Sequence, residues 1–396
     1  MRMEFEIKRI GDICQKVCSG GTPTSSNPDY YDGGIPWLNT NEVNFRNIYS
    51  TNKTISEEGL NHSAAKYIPV NSVIVAMYGV TAGKSAIAKI PLTTNQACCN
   101  LVIDEEKAYY QYVYYFLKLQ SDNLNKLANG GAQQNLNSLI IKKYKIALPE
   151  LAIQKRISSI LSAYDNLIEN NNRRIRLLEQ MAENLYKEWF VRFRFPGHEK
   201  AEFENGLPKG WKYENLFDVA DVSYGYAFKS DLFCTDDSLN AVVRIRDIQD
   251  NYTDTYTSEE CNSKYLIEEN AILVGMDGLF HMCLWNGKKA YLNQRVVKIN
   301  SKLDNICNYL LFMAIRPQIK FWEQVIAGTT VAHLGDKHLK KVKVAIPNNE
   351  LLSKANSTFQ KIMVEKNQLF KQYTLLSRQR DLLLPRLMSG KLEVKA

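Results

Sequence analysis

ISSILSAYDNLIENNNRRIRLLEQMAENLYKEW, residues 157–189, repeats its core positions in alternating steps of four and three: Ile157, Leu161, Tyr164, Ile168, Asn171, Ile175, Leu178, Ala182, Leu185 and Trp189. That spacing is the seam of a coiled-coil helix. With its flanks the helix covers about 40 residues, and at about 1.5 Å per residue it is about 60 Å long. A second seam follows in the same phase 198 residues on, through Ala355, Phe359, Ile362, Lys366, Leu369, Tyr373, Leu376, Arg380 and Leu383. Two helices that share a register are natural partners, and an antiparallel coiled coil is expected. Asn171 either fixes that register or marks a solvated gap in the packing. Lys366 and Arg380 make the second seam more polar, which leaves the length of the second helix open.

The same offset relates the rest of the chain to itself. Tyr67 meets Tyr265, Asn95-Gln96 meets Asn293-Gln294, Gly130 meets Gly328, Leu136 meets Leu334, and Ala147-Leu148-Pro149 meets Ala345-Ile346-Pro347. One residue out of step, Met77 and Gly79 pair with Met276 and Gly278. Ordered matches with almost no drift mark an internal repeat, which dictates architecture. Each half has β-like stretches (Ser72 to Tyr78, Ala271 to Met276), a helix rich in Tyr and Leu (Ala108 to Leu127, Asp304 to Val325), and a strand running into Pro. The connector from Phe195 to Trp211 holds Pro196, Gly197, Gly206, Pro208 and Gly210, which stop one element and open the next. The expected fold is α+β: two tandem α/β modules, residues 1–149 and 196–348, separated by two long helices, residues 150–195 and 349–396, with an internal pseudo-twofold repeat.

A chain of 396 residues exceeds what one core usually organises. Its 50 Lys+Arg against 42 Asp+Glu give a net charge of +8, a mild surplus that favours a phosphate backbone as partner without demanding one. Eight cysteines lie scattered, with no CxxC pair and no zinc spacing, and read as reduced, mostly buried thiols of a cytoplasmic protein. No metal site is expected. No run of 18 apolar residues and no signal-like N-terminus is present, so a membrane role is not expected.

Module, long helix, module, long helix: that order resembles the specificity subunits of type I restriction-modification systems. RRIRLLEQMAENLYKEWFVRFRFPG (Arg173 to Gly197) is similar to the end of that family's central conserved region, and RQRDLLLPRLMSGKLEV (Arg378 to Val394) to its C-terminal one. GDICQKVCSGGTP (Gly11 to Pro23) and FDVADVSYGYAF (Phe217 to Phe228) are similar to the opening segments of its recognition domains. The resemblance implies two target recognition domains, each reading one half of a bipartite, asymmetric site in double-stranded DNA, with helices that set the unread spacer. It further implies docking of two methyltransferase subunits, restriction subunits in the full complex, and no catalytic residue in this chain. S-adenosylmethionine, ATP and magnesium are then expected only on the partners.

Candidate DNA contacts follow from chemistry. The Gly-led loops carry Gln133, Gln134, Asn135 and Asn137 in one half and Thr329, Thr330 and His333 in the other, whose amides and hydroxyls suit base edges. Lys142 and Lys143, matched by Lys340 and Lys341, suit phosphates, although a lysine-guarded edge strand explains them equally well. Arg244, Arg246 and Arg295 on apparent strands of the second half suit guanine. Trp37 and Tyr224 read as core.

Two motifs suggest chemistry instead. GVTAGKS (Gly79 to Ser85) ends like a phosphate-binding loop but has three residues between its glycines where four are needed; a strand-connecting turn offering Lys84 to a phosphate is the plainer reading. Asn27-Pro28-Asp29-Tyr30 is one residue away from the Asn-Pro-Pro-Tyr box of adenine methyltransferases, yet it sits among turn residues with no cofactor-binding glycine fingerprint before it. The rival readings are an enzyme, either a fused methyltransferase-nuclease or a nucleotide hydrolase using Lys84, and a coiled-coil scaffold without a nucleic-acid role.

Overall fold

Val73-Ile74-Val75-Ala76 and Ile272-Leu273-Val274-Gly275 are apolar at every position, and each becomes a strand buried on both faces at the centre of a sheet. Both belong to a computed structural model that describes residues 5–129, 136–326 and 332–394. The chain divides into two compact units, Met1–Ile168 with Leu375–Ala396, and Glu169–Thr374. That division cuts through both long helices, so each unit holds one sheet module and a piece of each helix.

In the first unit the main sheet has the order Cys14–Ser19, Cys98–Ile103, Val73–Ala76, Ser85–Ala88, Arg46–Ile48. A smaller sheet of Lys53–Ile55, Tyr31–Leu38 and Thr93–Thr94 stands beside it. The second unit repeats the plan: a four-stranded sheet of Ala220–Tyr224, Val296–Ser301, Ile272–Gly275 and Met282–Leu284, with a second sheet of five short strands built around Asn240–Val243 and Ala290–Leu292. The 198-residue offset is kept in the element starts, with Cys98 and Val296 opening equivalent strands, Tyr110 and Asn308 equivalent helices, and Ser138 and Asp336 equivalent short helices. Each module also closes on itself through an antiparallel pair, Glu6–Arg9 with Lys145–Leu148 and Lys212–Asn215 with Lys343–Ile346.

The long helices span Leu151–Tyr186 and Asn349–Met388. In the first unit Ile157 and Leu161 share a core with Leu384, Leu387 and Met388, and with Tyr112 and Leu117 of the module. In the second, Ala182 meets Phe359 and Ile362 in one core with Tyr309, Leu310 and Trp211. Both units therefore bring an early part of one helix against a late part of the other, which is the antiparallel arrangement. A long-helix side chain also caps each module helix: Gln154 accepts the Tyr109 N–H at 2.9 Å and Asn356 the Cys307 N–H at 2.6 Å. Tyr109 and Cys307 are again 198 apart, and both N–H groups stand at helix mouths, where no intrahelical acceptor exists.

The seam cations explain how the second helix stays whole. Arg380 Nη1 lies 2.8 Å from Asp165 and Lys366 Nζ 2.9 Å from Glu179, each an acid on the first helix. Asp165 also accepts from Tyr115 Oη at 2.7 Å and has Lys118 Nζ at 3.7 Å. Burial pulls the Lys118 ammonium below its ordinary range and pushes the Tyr115 phenol above its own. Asn171 is buried and donates to Gln372 Oε1 at 3.4 Å, so it is paired across the helices.

Some details differ from the periodic reading. The first helix ends in a π turn, Lys187–Val191, whose extra residue rotates the register, so that Phe190 is buried and Trp189 only half so. At the far end of the second seam Leu384 takes the core position expected of Leu383. The helix expected over Ala108 to Leu127 breaks at Gln120 into Tyr110–Leu119 and Ser121–Asn129, and the one expected from Asp304 starts at Asn308. Cys98 and Cys99 are fully buried, and the other six cysteines are partly buried.

Asp165→Ala should leave Arg380, Lys118 and Tyr115 without their shared acceptor. The expected loss is about 3 kcal/mol in chemical denaturation, the order found when one partner of a buried pair is removed. The double variant Asp165→Leu/Arg380→Met should be less damaged than Asp165→Ala alone; equal or greater damage would show that the pair does not act as a unit.

Candidate nucleic-acid interface

Parallel pairing decides what stands at one end of each module. In the first, Trp37 pairs with Thr93 and Leu38 with Thr94, so the next residues, Asn39 and Asn95, emerge side by side, and Asn95 Nδ2 donates to Asn39 Oδ1 at 3.3 Å. The hairpin between Val73–Ala76 and Ser85–Ala88 turns at the same end. There Thr81 Oγ1 donates to the Thr40 carbonyl at 2.8 Å and Lys84 Nζ to Asn44 Oδ1 at 2.9 Å, while Thr22 bonds Gln96. Glu42, only 4 % exposed, holds the turn by accepting the Asn39 N–H at 3.2 Å and the Asn52 N–H at 2.9 Å. The tip itself is apolar: Val80 is 95 % exposed and follows Gly79, whose φ of +74° lies in the left-handed region.

The second module builds the same frame with other side chains. Val242 pairs with Tyr291 and Val243 with Leu292, which delivers Arg244 next to Asn293. The Arg244 N–H donates to Asp247 Oδ2 at 2.8 Å, as Asn39 does to Glu42. The hairpin tip carries Asp277, Gly278 at φ +70° and an exposed Leu279. Asp277 gathers two cationic or donor groups: Arg295 Nη1 is 3.3 Å from its Oδ2 and His333 Nδ1 is 2.6 Å from its Oδ1.

The candidate contacts fall into distinct groups. Lys84, Arg246, Arg295 and His333 stand at these strand ends. Arg246 is largely exposed between Asp247 and Asp254, at 3.5 and 3.8 Å. Arg244 turns inward, where its guanidinium bonds Thr255 and covers the Phe233 ring at 5.5 Å. Asn137 caps the helix Ser138–Lys143 by accepting the Ile140 N–H at 3.0 Å. Lys142 and Lys143 lie in that helix's last turn, Lys142 beside Gly11. Lys340 pairs with Asp336 at 2.6 Å, and Lys341 covers the Trp322 ring at 5.6 Å. Gln133, Gln134, Asn135, Thr329 and Thr330 lie outside the described residues.

Asn39, Asn44 and Asp277 were not singled out from sequence. Asn95-Gln96 was visible as a repeated pair, but only the parallel strands reveal that it flanks the hairpin tip. The phosphate-loop alternative fails on geometry, because Lys84-Ser85 opens a strand, Ser85–Ala88, where such a loop needs a helix N-terminus. Asn27-Pro28-Asp29-Tyr30 is a short turn in which Asn27 Oδ1 accepts the Asp29 N–H at 3.2 Å. Among the described residues no group of three or more His, Cys, Asp or Glu is placed to hold a metal ion.

Two stretches of the chain, residues 3–180 and 208–379, match the family described as the type I restriction modification DNA specificity domain. The MjaIX specificity subunit of Methanocaldococcus jannaschii is 26% identical over 416 residues, covering 99% of this chain and 94% of that protein. The EcoR124I/EcoR124II specificity subunit of Escherichia coli is 30% identical over 203 residues, about half of each chain (49% and 49%). The crystal structure of a type I system S subunit from M. genitalium shares the fold, with a TM-score of 0.64 over 97% of this chain and 96% of that one at 18% identity.

Burial holds the Asp247 carboxyl up at about 6, above the usual carboxylate range, although Thr253 and Arg246 pull it down. Its folded value lies above the unfolded one of about 3.9, so the folded state takes up the proton first. This residue's contribution to stability should therefore increase as pH falls from above 6 towards 4. Asp247→Asn keeps an acceptor for Arg244 and removes the titration. In thermal melts the wild type should gain on the variant as pH drops from 7 to 4.5; a constant or shrinking difference would refute the assignment.

Proposed function

Since the chain belongs to the type I restriction-modification DNA specificity family, we propose that it serves as the sequence-reading subunit of a type I restriction-modification complex and performs no chemistry itself. Residues Arg9 to Leu148 read one half of a bipartite, asymmetric site in double-stranded DNA and Trp211 to Ile346 the other. The long helices set the unread spacer between the halves. They also dock two methyltransferase subunits, for which exposed Leu177, Met181 and Val364 in the second unit offer apolar surface. Restriction subunits join in the full complex. S-adenosylmethionine, ATP and magnesium belong to the partners, and the complex works in the cytoplasm. No helix among the described residues is long and apolar enough to cross a membrane.

One observation carries the bipartite reading: equivalent strand ends on equivalent frames bear different polar sets. Beside a shared pair, Asn95-Gln96 in one and Asn293-Gln294 in the other, the first module offers Asn39, Asn44 and Lys84, whereas the second offers Arg246, Asp277, Arg295 and His333. Amides suit adenine and guanidinium suits guanine, so one frame used twice with unlike groups reads two unlike half-sites. Phosphate contacts orient such a frame without choosing a sequence.

Adenine methylation should be mapped in cells that carry the methyltransferase partner with and without this chain. A bipartite motif is expected only when the chain is present, and exchanging residues 212–346 for those of a relative should change one half of it. A change in both halves, or in neither, would contradict the modular reading. Lys84→Ala should weaken DNA binding modestly, more so at low salt; outright loss of a turnover would favour the enzyme alternative.

A further inference from the structure

Asp277, Arg295 and His333 come from three separated segments and meet on the exposed end of the second module. Arg295 immediately precedes the central strand Val296–Ser301, and its backbone is fixed on both sides: its N–H donates to Asn293 Oδ1 at 3.4 Å, and its carbonyl accepts the Met276 N–H at 3.0 Å. Asp277 is as firmly set, because Gly278 N–H donates to the Ala332 carbonyl at 3.1 Å and Leu334 N–H to that of Met276 at 2.8 Å. The carboxylate divides its oxygens, Oδ2 towards Arg295 and Oδ1 towards His333 Nδ1. A carboxylate only accepts, so Nδ1 carries the proton and Nε2 is left for another partner.

Side-chain exposure runs in a telling order, 25% for Asp277, 46% for His333 and 57% for Arg295. The acid sits behind, and the guanidinium and the imidazole stand in front of it. Exposed ion pairs contribute little to stability, so stabilisation alone is a weak reason for three segments to converge here. A guanidinium held in one orientation is what bidentate reading of a guanine O6/N7 edge requires, and a preset rotamer spares the entropy of fixing it on binding.

We propose that Arg295 reads a guanine in the half-site of the second module, and that Asp277 is the positioning residue that aims Arg295 and His333 at the base edges. This rests on the DNA-reading function above. Among its described residues the first module has no such device: Ala97 precedes its equivalent strand Cys98–Ile103, and Tyr78 stands where Asp277 does. The arginine-read guanine therefore belongs to one half of the site only.

The full chain, co-expressed with its methyltransferase subunits, supplies the test through adenine-methylation mapping of wild type, Arg295→Ala, Arg295→Lys, Asp277→Ala and Asp277→Asn. The wild-type motif should hold a guanine in the half that follows residues 212–346 on module exchange. Arg295→Ala and Arg295→Lys should each cut discrimination at that base pair by about 5- to 150-fold, the range for one bidentate contact, and leave the other half intact. Lysine keeps the charge and loses the fork, so its failure separates base reading from simple attraction to phosphate. Asp277→Ala should relax the same position while overall methylation persists, and Asp277→Asn should do so less. A merely structural role would lower methylation at every position together. The proposal is overturned if that half-site contains no G·C pair, if the variants keep the wild-type preference, or if both halves relax alike. If the wild type writes no chain-dependent motif although its partner is bound, the specificity reading itself falls, and this assignment with it.

Discussion

A cation inside a helix seam is tolerated only where an acid meets it, and this chain meets that demand twice. Arg380 answers to Asp165 in the first unit and Lys366 to Glu179 in the second, each time with the acid on the first helix and the base on the second. An apolar seam alone is forgiving, because leucines pack nearly as well one turn out of place. A cation drawn into the seam is less forgiving, Arg380 more so than Lys366, since a slipped register would strand it without a partner. The modules are built on these pairs: Tyr115 and Lys118 of one module helix reach Asp165, and Tyr309 of its counterpart lies under Lys366 with the ammonium 5.1 Å from its ring centre. Caps from Gln154 and Asn356 then tie the mouth of each module helix to a long helix.

On that base the two modules conserve their frame and vary their ends. Glu42 and Asp247 are buried acids at equivalent turns, each accepting the backbone N–H that follows a parallel pair of strands. Because the turn is held by a side chain from within, the residues facing outward are free to differ. Both hairpin tips present an apolar residue after a left-handed glycine, Val80 and Leu279, with Lys84 behind one and the Asp277 cluster beside the other. Rigidity comes from the inner acids and the strands, and chemical variety from the rim.

Much of this architecture was legible in the sequence because the repeat is nearly free of insertions after the first strands. Strand Cys98–Ile103 and strand Val296–Ser301, like helices Tyr110–Leu119 and Asn308–Ile326, begin at the same offset that relates the two seams. What failed to show was what depends on three dimensions. One extra residue in a π turn buries Phe190 in place of Trp189, and no four-three pattern anticipates that. Arg244 looked as available as Arg295, yet a cross-strand Thr255 and the Phe233 ring turn it inward. Asp277 carried no signal at all, because its partners lie 18 and 56 residues away along the chain.

The acids at the strand ends bear on what kind of binder this is. A surface made only to hold DNA would gain from removing Asp254 and Asp277, each of which repels phosphate and occupies a nearby arginine. In the proposed reading their presence trades general affinity for orientation, since a guanidinium tethered to a carboxylate offers one edge in one direction. The small net charge of +8 on 396 residues fits the same logic. A weakly attracted reader leaves wrong sequences quickly and is retained where base-edge contacts form, and discrimination between sites depends on that difference in affinity rather than on affinity itself.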